Sequence, residues 1–360
     1  MKGWYHGMKE AIKALTEGRD LSRGEAERIA ELILTGQATE AQIGAVLTAL
    51  RMKGETVDEI LGFATVLRQK ANTISPKLSN YVDLVGTGGD STFSFNISTT
   101  SAFVVAAAGL PVAKHGNRSI SSKSGAGDVL EALGVNISAD PEVVEKCVED
   151  VGIGFMFAPH FNPCMKYVGP VRSQLGIRTV FNILGPLSNP SRAEKMVVGV
   201  YNPMLAESIA KVMADLGVER GLVVSGEDRM DEITLTGATM VAEIENGEVR
   251  VYRITPEQFG FERCELKELQ GGDGAVNAQI TKDILAGKEK GKKREIVLLN
   301  AGATLYVGGL ADSIEDGIRM AAETIDSGKA LQTLEALVTA SKYVSIVGLL
   351  PVVNQYIKTG

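Results

Sequence analysis

Apolar residues recur at helical spacing through residues 1–75, and no alternating strand pattern interrupts them. Ser22 precedes the first strongly periodic segment, and Glu25 follows three residues later, which is the spacing of a helix capping box. The same periodicity predicts further helices over residues 39–52 and 56–70. We therefore expect residues 1–75 to form a small helical domain.

Beyond residue 75, short apolar runs alternate with segments of helical length. The predicted strands cover residues 81–85, 111–114, 195–201, 221–225 and 296–300. The predicted helices cover residues 98–109 and 203–216, and two more begin at Asp128 and Asp140. Alternating strands and helices indicate an α/β fold in which crossover connections join the strands of a central sheet. We expect residues 76–360 to form this larger α/β domain.

Two segments depart from the alternation of strands and helices. Residues 239–254 alternate around Asn246-Gly247, a dipeptide that predicts a two-residue hairpin turn. Residues 288–294 are a run of charged side chains, which we interpret as a solvated connection before the strand predicted at 296–300.

Composition narrows the class of protein. The chain has 360 residues, of which 44% are hydrophobic and 22% charged, and its formal net charge is −7. This acidic balance argues against a general nucleic-acid binder or a polybasic membrane binder. No apolar stretch approaches the ~20 residues of a membrane span, and three scattered cysteines suit neither a disulfide framework nor a zinc site. We expect a cytoplasmic protein.

The first candidate site is the loop Gly86-Thr87-Gly88-Gly89-Asp90, directly after a predicted strand. Successive amides in such a loop can hold anionic oxygens, although a tight structural turn is the simpler alternative. A dinucleotide fingerprint fits poorly, because Ser91 replaces the third glycine and no acid follows about 20 residues on. A Walker loop is excluded, because no GK[ST] follows.

No aspartate or glutamate occurs from Ser91 to Gly127, although the protein is acidic. The same stretch is rich in cations and in hydroxyl and amide side chains, among them Lys114, His115, Arg118, Lys123, Asn96, Ser98, Thr99, Asn117, Ser119, Ser121 and Ser122. This composition suits a substrate with several phosphates. The alternative is an ordinary serine-rich surface loop.

Four acids follow the strand predicted at 221–225, namely Glu227, Asp228, Asp231 and Glu232. Mg²⁺ is commonly bound through one or two carboxylates together with substrate phosphates, so the cluster is a candidate metal site. A solvated acidic loop is the alternative.

The third candidate segment runs from His160 to Arg172. An arginine can bind a planar carboxylate through two parallel hydrogen bonds, although a surface ion pair is its commoner role. His160 on its own is more often a structural histidine. The sequence shows no recognisable nucleophile motif, and a total of three histidines argues against a catalytic triad or a zinc site.

Longer motifs carry a resemblance to a known family. They are GTGGD at 86–90, NIST at 96–99, KHGNRSISSKSG at 114–125, GPVRSQLGIRTVFNILGPLSNP at 169–190 and DE at 231–232. With weaker similarity between them, the chain from about residue 8 to 340 resembles the anthranilate phosphoribosyltransferases of the tryptophan pathway.

The resemblance implies a small N-terminal helical domain, joined by a helical segment near 165–190, and a large α/β domain with a mostly parallel central sheet. It implies transfer of the 5-phosphoribosyl group from 5-phosphoribosyl 1-diphosphate to the amine of anthranilate, with release of pyrophosphate. It also implies two Mg²⁺ ions per subunit, small-molecule substrates without nucleic acid or membrane partners, and a homodimer formed through the helical domain.

The resemblance also implies roles for individual residues. Lys114, Asn117 and Arg172 are the candidate catalytic residues, and Ser98, Asp231 and Glu232 the candidate Mg²⁺ ligands. Those implied at anthranilate are Gly86, His115, Asn117, His160 and Arg172, with Arg172 on the carboxylate. Those implied at the diphosphate substrate are Gly86, Gly89, Asp90, Ser94, Asn96, Ile97, Ser98, Thr99, Lys114, His115, Gly116, Asn117, Arg118, Ser119, Ile120, Ser121 and Ser122.

The chain departs from the family pattern at two places. Ala126 replaces a serine whose hydroxyl contacts the diphosphate substrate, and one such bond is worth at most roughly 1.5–3 kcal/mol. The tail over residues 341–360 extends past the usual end. The alternatives are a pyrimidine nucleoside phosphorylase-like enzyme, whose base-binding motif is missing here, and a non-catalytic relative, for which eroded motifs and a basic surface would be expected.

Overall fold

The computed structural model of the protein describes residues 4–119 and 123–343. Ile120, Ser121 and Ser122, which were expected at the diphosphate, lie outside the described residues. So does nearly all of the C-terminal tail, over residues 344–360. None of the helices in the described part of the chain is long and apolar enough to cross a membrane.

Four helices make up the described N-terminal part of the fold, and they are α1 (Trp4–Thr16), α2 (Arg23–Leu34), α3 (Glu40–Lys53) and α4 (Val57–Lys70). Ser22 and Glu25 form the predicted capping box on α2. Thr39 on α3 and Thr56 on α4 cap in the same way. Reciprocal bonds of this kind satisfy amides that the first helical turn leaves unpaired, so local sequence determines where these helices begin.

A seven-stranded sheet with the order β3-β2-β1-β4-β5-β6-β7 forms the centre of the second part. Its strands are β1 (Val82–Gly86), β2 (Val112–Gly116), β3 (Ile153–Phe157), β4 (Lys195–Gly199), β5 (Arg220–Gly226), β6 (Thr239–Glu245) and β7 (Glu248–Ile254). The first five strands in space are parallel, and β6 and β7 are the predicted antiparallel hairpin. The turn residues Asn246 and Gly247 have φ values of +51° and +83°, as a two-residue hairpin turn requires.

Eleven further helices lie in the described part of the second half. They are α5 (Ile97–Ala107), α6 (Ala126–Ala132), α7 (Pro141–Lys146), α8 (Ala158–Phe161), α9 (Gly169–Leu175), α10 (Phe181–Leu187), α11 (Ala206–Asp215), α12 (Gly274–Leu285), α13 (Lys292–Val307), α14 (Ile314–Asp326) and α15 (Lys329–Ala340). The expectation of a helical N-terminal region and an α/β region with a mostly parallel sheet is confirmed.

The prediction of a strand over residues 296–300 is wrong. These residues lie inside α13, which is buried on nearly all sides, and the charged run at 288–294 leads into that helix rather than into a strand. A short apolar run has no periodicity that distinguishes a buried strand from a buried helix, and here the helix continues to Val307.

Alternate residues of the sheet belong to two different cores. Val197 and Leu222 face a core formed with α5 and α13, whereas Val198 and Val223 face the core that contains α2, α3 and α4. Residues 164–187, including α9 and α10, contribute to the second core as well. The helices of the N-terminal part therefore share a core with one face of the sheet, where α11 packs on β5 and β6 and α4 packs on α11.

Candidate active site

The candidate site lies where the strand order reverses. β1 and β4 are neighbours, with Gly86 opposite Gly199. The next strand after β1, which is β2, lies on one side of this pair, and the next strand after β4, which is β5, lies on the other side. The carboxyl ends of parallel strands at such a switch point are a preferred place for ligands. At both glycines a Cβ would collide with Asp231, which crosses over the strand ends. The lack of a side chain at these two glycines therefore makes room for Asp231.

The glycine loop after β1 has an unusual backbone. Gly88 and Gly89 have φ values of +68° and +70°, and Ser91 has a φ of +64°. The amide of Gly88 donates a 2.6 Å hydrogen bond to Oδ2 of Asp231. Thr92 Oγ1 donates to Oδ2 of Asp90 at 2.5 Å, so the carboxylate of the motif is held within the loop.

Asp231 and Glu232 lie side by side beneath this loop, and most of each side chain is removed from solvent. Burial, followed by the charge of Asp90, raises the pKa of Asp231 to about 7. Burial and then the charge of Asp231 raise the pKa of Glu232 to about 8. Oε1 of Glu232 accepts a 3.0 Å bond from the amide of Ser98. Desolvated carboxylates in mutual repulsion are the donor set that a divalent cation stabilises, so these residues fit Mg²⁺.

The other two acids of the predicted cluster, Glu227 and Asp228, bond to other side chains of the protein. Glu227 pairs with Arg253 at 3.1 Å. Asp228 accepts hydrogen bonds from the hydroxyls of Thr234 and Thr236 at 2.8 and 2.7 Å, which shape the loop. No group of three or more histidine, cysteine or acidic residues suited to a metal occurs among residues 4–119 and 123–343. The candidate metal ligands of this cluster are therefore the two carboxylates of Asp231 and Glu232. A Mg²⁺ ion held by two carboxylates would have its other coordination positions open to phosphate oxygens.

Lys114, the middle residue of β2, is buried beside this acid pair. Its Nζ donates to the carbonyl of Leu84 at 2.5 Å and lies 3.5 Å from Oγ of Ser98. Burial lowers the pKa of the ammonium, and the charges of Asp83, Glu232 and Asp231 oppose that effect. Its cation thus lies between the strand ends and the N-terminal turn of α5.

His115, the next residue, points into the protein interior. Its Nε2 lies 3.2 Å from Nδ2 of Asn162, and the ring also hydrogen-bonds the backbone of Gly185. Burial lowers the pKa of the imidazole to about 4, so the ring is neutral at physiological pH. His160 lies elsewhere, partly exposed, with its Nε2 3.9 Å from Oδ1 of Asp140. The structure does not bring these two histidines into contact.

The residues around the start of α5 divide by burial. Ile97 and Thr99 are 1% exposed and belong to the interior, so any ligand there would meet their backbone rather than their side chains. Oδ1 of Asn96 accepts a 2.9 Å bond from Nδ2 of Asn277. Ser94 forms an isolated backbone bridge with Gln270.

Residues in the stretch 91–127, which contains no aspartate or glutamate, bond to acids that lie just beyond its end. Arg118 pairs with Asp128 at 3.2 Å and with Glu131 at 2.8 Å. The amide of Ser119 donates to Oδ2 of Asp128 at 3.0 Å, and Oδ1 of Asn117 accepts from the amide of Arg118 at 2.7 Å. In this structure the Arg118 guanidinium is therefore paired with these two carboxylates.

Arg172 lies on α9 and is largely buried. Its guanidinium carbon is 5.8 Å from the ring centroid of Phe181, and burial lowers its pKa. No charged neighbour among residues 4–119 and 123–343 offsets that burial. A largely buried guanidinium without an acidic partner is suited to binding a carboxylate ligand.

Sequence reasoning missed several polar residues of this region, namely Asp83, Asn162, Arg178, Asn189, Tyr201 and Asn277. Asp83 carried a signal as a charged residue within the apolar run Tyr81–Val85, Asn162 lies in the candidate segment 160–172, and Arg178 and Asn189 lie in the motif at 169–190. The positions of these side chains in the site depend on contacts between distant parts of the chain.

The chain is similar to known proteins over most of its length. The family model described as the a/b domain of a glycosyl transferase family matches residues 78–331, and the model of its helical bundle domain matches residues 9–71. An anthranilate phosphoribosyltransferase from Acetivibrio thermocellus is 55% identical over 92% of this chain and 96% of its own.

Solved structures of anthranilate phosphoribosyltransferases have a similar fold. The anthranilate phosphoribosyltransferase of Thermus thermophilus superposes with a TM-score of 0.88 at 40% identity, covering 92% of this chain and 99% of its own. The enzyme of Saccharomyces cerevisiae, solved with PRPP (5-phosphoribosyl 1-diphosphate) and Mg, has a TM-score of 0.86 at 29% identity, covering 94% and 98%.

The fold and the site thus define a glycosyltransferase with a helical bundle domain and an α/β domain. Within that class, the chain belongs to the anthranilate phosphoribosyltransferase family. It is an enzyme that transfers a phosphoribosyl group to anthranilate, a step of tryptophan biosynthesis.

Proposed function

We propose that the phosphoribosyl donor, 5-phosphoribosyl 1-diphosphate, binds at the glycine loop, the start of α5 and the loop after β2. The observation that carries this proposal is the convergence of Lys114, Ser98 and the Asp231–Glu232 pair at the carboxyl ends of β1, β2 and β4. The remaining donor-site residues are those that the family resemblance implies, namely Gly86, Gly89, Asp90, Ser94, Asn96, Ile97, Thr99, His115, Gly116, Asn117, Arg118, Ser119, Ile120, Ser121 and Ser122.

We further propose two Mg²⁺ ions per subunit, one near Ser98 and one at Asp231 and Glu232. The desolvated carboxylates support the second ion, because their raised pKa values record an unsatisfied negative potential. When bound, Mg²⁺ neutralises charge on the departing diphosphate. The solved Saccharomyces cerevisiae relative that contains Mg supports the choice of metal.

Anthranilate is proposed to contact Gly86, Asn117 and Arg172, with its carboxylate on Arg172. The resemblance also implies His115 and His160 along the path of the aromatic substrate, and we propose them there as well. Positive charge develops on the ribose as pyrophosphate leaves, and the protein contributes positioning and charge neutralisation, with Lys114 and the loop amides facing the phosphates. The aromatic amine is already nucleophilic and loses a proton readily once it is bonded to carbon. A strong general base is therefore unnecessary.

We propose residues 1–75 and 76–360 as the two domains, with 165–190 packed on the first, and a homodimer formed through the helical domain. The shared core of α2–α4 with residues 164–187 supports the packing of that segment. We also propose a cytoplasmic location, which agrees with three cysteines that are all unpaired.

The direct test mixes the protein with anthranilate, 5-phosphoribosyl 1-diphosphate and Mg²⁺ and follows the loss of anthranilate fluorescence. We expect turnover that stops when the diphosphate substrate is omitted. Replacing both substrates by a pyrimidine nucleoside and phosphate should give no free base. Release of base there, without anthranilate turnover, would instead establish the phosphorylase alternative.

A further inference from the structure

Arg178 lies between α9 and α10, and it reaches across to the glycine loop. Its Nη2 donates a hydrogen bond to the carbonyl of Gly89. Its guanidinium carbon is 3.7 Å from the ring centroid of Tyr201, which follows β4. The guanidinium therefore has one planar face covered by an aromatic ring and one edge directed at the loop.

These two contacts restrict the side chain strongly. Stacking on a tyrosine ring orients the guanidinium plane, and a delocalised planar cation does this better than the ammonium of lysine. None of the ion pairs found in the described part of the chain involves Arg178, so no carboxylate draws the cation away from the loop.

The glycine loop is consequently held from two sides. Asp231 accepts the amide of Gly88, and Arg178 donates to the carbonyl of Gly89. Both glycines have left-handed backbones, a conformation that glycine enters and leaves at little steric cost. A loop of this composition requires outside contacts to keep its amides in one orientation.

We propose that Arg178, stacked on Tyr201, is a positioning residue that presets the glycine loop for the diphosphate substrate. By holding the Gly89 carbonyl, it fixes the following peptide group and so the direction of the Asp90 amide. Pre-organisation of this kind lowers the ordering cost that substrate binding would otherwise meet. The inference rests on the proposed placement of the diphosphate at this loop.

The test compares Arg178→Lys with the wild-type enzyme. The dissociation constant of 5-phosphoribosyl 1-diphosphate in the presence of Mg²⁺ is measured by calorimetry, and the amide exchange rates of residues 87–90 are measured without substrate. We expect a dissociation constant about tenfold higher, a matching rise in KM for this substrate with a smaller change in kcat, and faster loop exchange. Thermal melting of each variant verifies that it is folded.

Arg220→Lys is the matched control. Arg220 also lies over a tyrosine, 5.0 Å from the ring centroid of Tyr306, but it is at the amino end of β5, away from the loop. This control should leave substrate binding and loop exchange unchanged. Tyr201→Leu should reproduce the effect of Arg178→Lys, and Tyr201→Phe should restore most of the binding because it keeps the aromatic face.

Three results would contradict either the role of Arg178 or the placement of the diphosphate substrate at the loop. Unchanged substrate binding in Arg178→Lys overturns the inference. Weaker binding with unchanged loop exchange also overturns it, because Arg178 would then act as a direct ligand. If Lys114→Gln and Asp231→Asn leave substrate binding intact as well, the placement of the diphosphate at the loop is itself wrong.

Discussion

Nδ2 of Asn189 donates a 2.6 Å hydrogen bond to Oδ2 of Asp83, and both side chains are completely buried. Asn189 also donates to the carbonyl of Ala113, so it connects β1 and β2. Burial raises the pKa of Asp83 to about 6, while the nearby charge of Lys114 and the bond from Asn189 act against that rise. A single amide from a distant loop thus supports the acid that faces the buried lysine of the site.

Replacing Asn189 should reduce stability substantially. In Asn189→Ala a buried carboxylate and a buried carbonyl lose a donor, so we expect unfolding to require about 2–4 kcal/mol less free energy, by urea denaturation. Asn136→Ala is the control, because its side chain makes only an exposed 3.2 Å contact with the amide of Ser138. A loss in Asn189→Ala no larger than in the control would contradict the structural role of this bond.

The buried imidazole of His115 makes stability depend on pH. Its folded pKa of about 4 is below the unfolded value of about 6.5, so the folded state binds fewer protons between these values. The stability associated with His115 is fully present above pH 6.5 and is lost as pH falls towards 4. We expect this effect to lower the free energy of unfolding by about 2 kcal/mol between pH 7 and pH 5. His115→Gln should lower stability at pH 7 but show a shallower pH dependence; parallel profiles would count against a buried neutral ring.

Arg172→Ala should weaken the binding of anthranilate. Losing a charge-assisted interaction with a carboxylate should raise KM for anthranilate by about 10- to 100-fold. KM for the diphosphate substrate should change by less than about threefold. Arg172→Lys should be intermediate, because an ammonium keeps the charge but not the two parallel donors. Arg51→Ala, at an exposed position on α3, provides the control, and an unchanged KM for anthranilate in Arg172→Ala would refute the assigned contact.

The acid pair should determine the response to Mg²⁺. We expect Asp231→Asn combined with Glu232→Gln to lower the rate at least tenfold and to raise the Mg²⁺ concentration needed for half-maximal activity. Glu227→Gln is the matched control, since Glu227 belongs to the same run of acids but pairs with Arg253. A normal Mg²⁺ profile in the double variant would exclude metal ligation at these two residues.

Arg68 joins the helical part of the fold to the sheet region. Its Nε and Nη1 donate to the carbonyls of Leu187 and Leu216 at 2.7 and 2.8 Å, at the C-terminal ends of α10 and α11. Burial, reinforced by the charge of Arg192, lowers its pKa to about 10. Arg68→Met should cost about 2–4 kcal/mol of stability because two helix ends lose donors. Arg23→Met, which removes an exposed ion pair with Glu27, should cost under about 0.5 kcal/mol in the same denaturation experiment.

Local signals predicted much of the fold. Capping boxes such as Ser22 with Glu25, and the Asn246-Gly247 turn, depend on residues a few positions apart, so they can be read without the fold. The run at 296–300 has no such signal, because its burial in α13 is decided by the layers around it. Strand prediction failed where an apolar run was buried on all sides.

The site could be predicted in outline only. The motif residues Lys114, Asp231 and Glu232 do converge, because parallel strands end at one edge of the sheet. Charge and position alone did not distinguish these acids from Glu227, which only the family resemblance did, and nothing in the sequence indicated that Arg118 pairs with Glu131. Charge composition reports which groups are present, whereas geometry decides which groups face each other.

By itself, the sequence determined the helix starts, the α/β alternation, the family and the chemical types at the site. Only the tertiary structure decided that Asn189 supports Asp83, 106 positions away, and that Arg178 holds the glycine loop. It also decided which ionisable groups are buried. The physical reason is that burial and contact between remote residues create these pKa shifts and bonds, and both exist only when the chain is folded.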